Sequence, residues 1–68
     1  MMRLDKKENK RLYSKNQIQK AFFILLEQES YQHLTIAMIL DESQISRRTF
    51  YRHYSNKQAI VEDYLESL

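Results

Sequence analysis

The sequence contains no cysteine, no glycine and no proline. Without cysteine there is no disulfide to hold the fold and no thiolate to bind a metal. The two histidines, His33 and His53, stand far apart, and neither has a second histidine or a paired carboxylate at ligand spacing, so no metal site, cofactor or catalytic constellation is expected. Without glycine and proline the chain lacks its strongest structural punctuators, and its abundant Leu, Ile, Lys, Gln and Glu favour helix. No apolar run approaches the roughly 20 residues of a membrane span. Nothing has the layout of a secretory signal, so a soluble, intracellular protein with no membrane partner is expected. At 68 residues the chain makes one small domain, which buries only about 60% of the surface of its unfolded form.

What is present is charge in blocks. The formal net charge is only +2, but residues 1–20 hold seven basic side chains against two acidic ones. Residues 21–46 are acidic, 47–57 carry four basic side chains and no acidic one, and 58–68 are acidic again. Two basic blocks separated in this way suit an anionic polymer.

Periodicity places four elements. Residues 1–13 are charged, show no apolar period and read as a flexible basic arm, in which Arg3, Lys6, Lys7, Lys10 and Arg11 could follow a phosphate backbone. Ser14 then caps a helix over about 15–29, with Ile18, Ala21, Phe22, Leu25 and Leu26 on one stripe, widened by Phe23 and Ile24. After the connector 30–33, Thr35 caps a short second helix in which Ile36, Ile39 and Leu40 share a face. Asp41 and Glu42 stand where the helix macrodipole disfavours them, which marks its end. Following a turn at 43–45, Ser46 caps a third helix over about 47–53, in which Phe50 faces inward together with Tyr54 just beyond it. A fourth begins after Ser55-Asn56 and carries Ile60, Val61, Tyr64, Leu65 and Leu68. The fold class is therefore all-α, a small bundle of three helices in a homeodomain-like helix-turn-helix plus the start of a fourth, with 14–68 as the domain.

Helix, three-residue turn and helix, each opened by a hydroxyl cap, is the layout that lays its second helix in the DNA major groove. Counted at about 100° per residue, Arg48 and Arg52 lie opposite Phe50, Tyr51 lies on the flank and Arg47 in the first turn. Arginine can hold guanine O6 and N7 with two hydrogen bonds, and hydroxyls suit phosphate oxygens.

The run Ser46-Arg-Arg-Thr-Phe-Tyr-Arg-His-Tyr-Ser-Asn-Lys57 closely resembles the signature of the TetR family of bacterial transcription regulators, which reads roughly Ser-x-x-Thr-hydrophobic-Tyr-x-His-aromatic-x-x-Lys. Leu34-Thr35-Ile36, Ile39 and Ile45-Ser46 are similar to that family's second helix and turn, and the resemblance covers about 14–65. It implies sequence-specific binding of double-stranded operator DNA by a regulator, in the repressing sense, in the bacterial cytoplasm at the nucleoid. Arg47, Arg48 and Tyr51 would read bases. Thr35, Ser46, Thr49, Arg52, His53 and Lys57 would contact phosphates, Lys57 with help from the positive end of the fourth helix. The resemblance also implies a homodimer formed through a C-terminal helical domain that these residues do not include.

Three positions depart from the pattern. Gln44 stands in a turn where glycine is common, Leu40 where alanine is usual, and Ser30 where glycine often ends the first helix. A left-handed residue other than glycine costs about 1–2 kcal/mol, so an adjusted turn is expected. The competing reading is a helical protein-interaction module that leaves DNA alone, suggested by the apolar stripe of Tyr64, Leu65 and Leu68 on the last helix.

Overall fold

Four helices follow one another along the chain: α1 (Lys6–Leu26), α2 (Ile36–Ser43), α3 (Arg47–His53) and α4 (Lys57–Glu66). They belong to a computed structural model that describes residues 6–68, and side chains from Leu12 onward. No strand occurs among the described residues, and none of the described helices is long and apolar enough to cross a membrane.

The three later helices start where cap chemistry puts them. Thr35, Ser46 and Asn56 have extended backbones, and the side chain of each accepts a hydrogen bond from the amide three residues on. An oxygen on a short side chain satisfies one of the amides that a helix N-terminus leaves without a partner.

The first helix departs from expectation at both ends. It begins at Lys6 instead of after Ser14, which lies inside it. Residues 6–13, read as part of a flexible arm, are thus helical, while 1–5 fall outside the described residues. Apolar periodicity reports which face is buried, not whether the backbone is helical. Lys, Glu, Arg and Leu are good helix formers even where nothing packs on them. At the other end the helix stops at Leu26, not at residue 29. Glu27 and Gln28 donate to carbonyls three residues back, Ile24 and Leu25, at 3.2 and 2.9 Å, the tightened last turn common at helix ends.

The core draws on every helix. Ile18, Phe22, Leu34, Ile39, Phe50 and Ile60 are the largest fully buried side chains, with Ala21, Leu25 and Tyr54 beside them. Ile36, Leu40 and Ile45, expected to face inward, are partly buried against this cluster. Phe23 does widen the α1 stripe, and its ring lies 4.8 Å from that of Tyr64 on α4. Ile24 instead remains exposed.

The turn between α2 and α3 is built around Gln44, which sits in the left-handed region at φ 60°, ψ 31°. It is the one positive-φ residue among those described. The adjustment expected of a glycine-free turn is therefore not made, and the strained conformation is kept. Three hydrogen bonds hold it. The Gln44 amide donates to the Leu40 carbonyl at 2.8 Å. Its side-chain Nε2 reaches the Asp41 carbonyl at 2.7 Å. Buried Ser43 turns its Oγ to the Ile45 amide at 3.3 Å.

Candidate nucleic-acid interface

Helix α3 is anchored from behind. Phe50 is fully buried and Tyr54 nearly so, which fixes the rotation of the helix and leaves Arg48 and Arg52 facing outward. Arg47, Arg48, Tyr51 and Arg52 are all exposed. Among the described residues the ion pair is that of Lys15 with Asp63, so the three arginines meet no carboxylate there and face solvent. Tyr51 is 47% exposed, yet its ring stands edge-on against Phe50 at 5.3 Å. The core thus holds the base of the side chain while the hydroxyl end stays free to reach out. An α-helix such as α3, with its side chains, is about 10–12 Å across, which matches a major groove about 12 Å wide.

The expected phosphate contacts do not form one uniform group. The Thr35 Oγ1 accepts from the Met38 amide at 3.2 Å, which leaves its hydroxyl proton for an outside acceptor. The Ser46 Oγ accepts from the Thr49 amide at 3.1 Å and donates to Thr49 Oγ1 at 2.9 Å. A hydroxyl has one proton, so in this pair the donor left for a phosphate is that of Thr49. Arg52 is exposed, whereas His53 is half-buried. His53 lies about 60° round the helix from Phe50 and lines a shallow cleft with Lys15, Glu62 and Asp63 of α1 and α4.

Lys57 is the residue whose surroundings differ most from expectation. It is half-buried at the start of α4. Its Nζ donates to the carbonyls of Tyr31 and of Leu34, the latter at 2.8 Å, and lies 4.3 Å from the centre of the Tyr31 ring.

The sequence reading also missed a polar cluster that ties the end of α3 to two other helices. The Tyr54 hydroxyl donates to Asp63 Oδ2 at 2.7 Å. Gln19 Nε2 donates to both the Tyr54 oxygen and Asp63, at 3.0 and 3.2 Å, and Lys15 pairs with the same carboxylate at 3.2 Å. Burial, with the bond donated to Asp63, pushes the Tyr54 phenol up to about 12. The bond received from Tyr54, with Lys15 adding to it, holds the Asp63 carboxyl below its ordinary 3.8. Two signals were available. A buried tyrosine needs a partner for its hydroxyl, and Asp63 lies three residues from the core residue Ile60, on the same helix face.

Residues 18–64 match the family model of bacterial regulatory proteins, tetR family. The chain belongs to that family. The match takes in α2, the turn, α3 and nearly all of α4, so the tetR-family assignment rests on the helix-turn-helix itself and on the helices that hold it. The chain is also 40% identical over 50 residues to the uncharacterized HTH-type transcriptional regulator YxbF of Bacillus subtilis (strain 168). That alignment covers 72% of this chain and 13% of the relative, so the chain spans a small part of that protein's length. No solved structure gives a significant match. The helix-turn-helix described above is accordingly a DNA-binding module of the tetR family, a family of regulators and not an enzyme class.

Proposed function

We propose that the chain is the operator-reading part of a cytoplasmic transcription repressor, with α3 in the major groove of duplex DNA. The observation that carries this reading is the outer face of α3, where Arg47, Arg48 and Arg52 stand exposed without a carboxylate partner among the described residues. Arg47, Arg48 and Tyr51 read base edges. Thr35, Ser46, Thr49, Arg52 and His53 meet phosphates, Ser46 chiefly by orienting the Thr49 hydroxyl. Lys57 meets a phosphate as well, from the start of α4, where without DNA its ammonium rests on the carbonyls of Tyr31 and Leu34. Two copies, joined outside this module, bind half-sites about one helical turn, or 34–36 Å, apart.

Selecting bound sequences from a random duplex pool tests the reading. A defined motif that Arg48→Ala relaxes, at a loss of about 1–3 kcal/mol of discrimination, is the expected result. Affinity that stays flat between low and physiological salt would reject it, because phosphate contacts release counterions. A protein-interaction module is the second reading, favoured by the exposed Tyr64, Leu65 and Leu68. Amide shifts confined to α4 on adding duplex would support it against the first.

A further inference from the structure

A shallow cleft lies between the outer face of α2 and the start of α3. Ala37, Leu40 and Asp41 of α2, Ile45 of the turn and Arg47 of α3 line it. The lining is divided in chemistry. Leu40 and Ile45 are half-buried and packed against the core, so they make a fixed apolar floor, to which exposed Ala37 adds its methyl group. Asp41 and Arg47 are exposed at the rim, and among the described residues no ion pair joins them. The turn keeps the cleft in shape. Gln44 Nε2 holds the Asp41 carbonyl at 2.7 Å, and Ser43 Oγ holds the Ile45 amide at 3.3 Å.

The N-terminal residues of the second helix of a helix-turn-helix meet base edges, and Arg47 is the first residue of α3. The cleft is thus continuous with the base-reading face. A phosphate does not suit it, because the Asp41 carboxylate would repel one. An A·T pair does. In the major groove it presents the thymine methyl and the adenine amino group side by side. The methyl matches the apolar floor, and the amino donor matches a carboxylate acceptor. A C·G pair offers an amino group without the methyl. We infer that this cleft is a second base-reading site that takes a thymine methyl, next to the base read by Arg47. Leu40 and Ile45 seat the methyl, and Asp41 faces the amino group of the paired adenine. The inference rests on the DNA reading above and extends it from α3 to α2. Leu40, standing where alanine is usual, makes the floor broader than the family pattern would.

Operators selected from a random duplex pool supply the probe. Each thymine of the selected motif is replaced in turn by deoxyuridine, which lacks only the methyl group. Binding is then measured for the wild-type chain, Leu40→Ala and Ala37→Ser. One replacement, beside the position that Arg47→Ala relaxes, is expected to weaken wild-type binding about fourfold, the effect of one buried methyl group. In Leu40→Ala the two duplexes are expected to bind within about twofold of each other, because side chain and methyl act as one unit. Should Leu40→Ala not fold, Ala37→Ser, changed at an exposed position, is expected to narrow the same difference. A motif without thymine at that place, full affinity for deoxyuridine there, or a fourfold loss that the folded variants retain would overturn the inference and leave the DNA reading standing. A wild-type chain that binds no duplex at any salt would overturn both together.

Discussion

The central helix-turn-helix and the helices that flank it are held by different kinds of bond. Within the centre, the bonds that set the ends of α2 and α3 join residues two to four apart: Met38 to Thr35, Thr49 to Ser46, Gln44 to Asp41 and to Leu40, Ile45 to Ser43. The flanks are joined by bonds between residues farther apart, from nine for Tyr54 to Asp63, through 23 for Lys57 to Leu34, to 44 for Gln19 to Asp63. The reading helix therefore takes its local shape from its own neighbours and its placement from partners far away in the chain. Shape and placement can be damaged separately, and the following variants do so.

Phe50→Ala removes the side chain on which both kinds of bond depend. It should cost about 3–5 kcal/mol, close to the whole stability of so small a domain, and leave a chain without a cooperative thermal transition in circular dichroism. Thr35→Ala and Ser46→Ala attack shape only. Each should cost about 1 kcal/mol in urea denaturation, and Ser46→Ala should weaken DNA binding more than its stability loss explains, because it also frees the Thr49 hydroxyl to turn. Tyr54→Phe attacks placement only, at about 1–2 kcal/mol for the two lost hydrogen bonds, one given to Asp63 and one received from Gln19.

Tyr54→Phe should also remove a pH dependence at alkaline pH. The raised Tyr54 pKa means that its contribution is whole below the ordinary 10.0 and lost as pH rises toward about 12. The lowered Asp63 pKa has the opposite sense. Its contribution is present above 3.8 and fades as pH falls through the lowered value. Wild-type stability followed by urea titration at both extremes should show both losses, and Tyr54→Phe should lack the alkaline one. The smallest effect is Gln44→Gly. It relieves a left-handed residue but gives up the bond to the Asp41 carbonyl and loosens the unfolded chain, so a net gain below about 1 kcal/mol in the same titration is expected.

How much could be read in advance follows the same division. Thr35 and Ser46 were recognisable as caps because a cap is a matter of four consecutive residues, and Phe50 and Tyr54 because helical spacing is local. The family signature likewise lies within one run, from Ser46 to Lys57. The start of α1 was missed because the sequence from Lys6 to Tyr13 carries no apolar period, and apolar period was the signal being read. The seat of Lys57 and the Tyr54–Asp63–Gln19–Lys15 cluster were missed for a different reason. Which carbonyl meets which ammonium depends on how α1 and α4 come to lie against each other, and no spacing within either helix contains that.

The local bonds of the centre also bear on the time course of folding. Closing a ring of a few residues is fast, whereas joining residues 23 or 44 apart must wait for a longer search. The chain contains no proline, so no peptide isomerisation interrupts the sequence of events. The helix-turn-helix is therefore expected to form first and the ties to α1 and α4 to close onto it. In stopped-flow measurements, cap variants at Thr35 or Ser46 should slow refolding, while Tyr54→Phe should mainly hasten unfolding. By this account the surface that meets DNA is the oldest structure in each folding event, and the contacts that steady it arrive last.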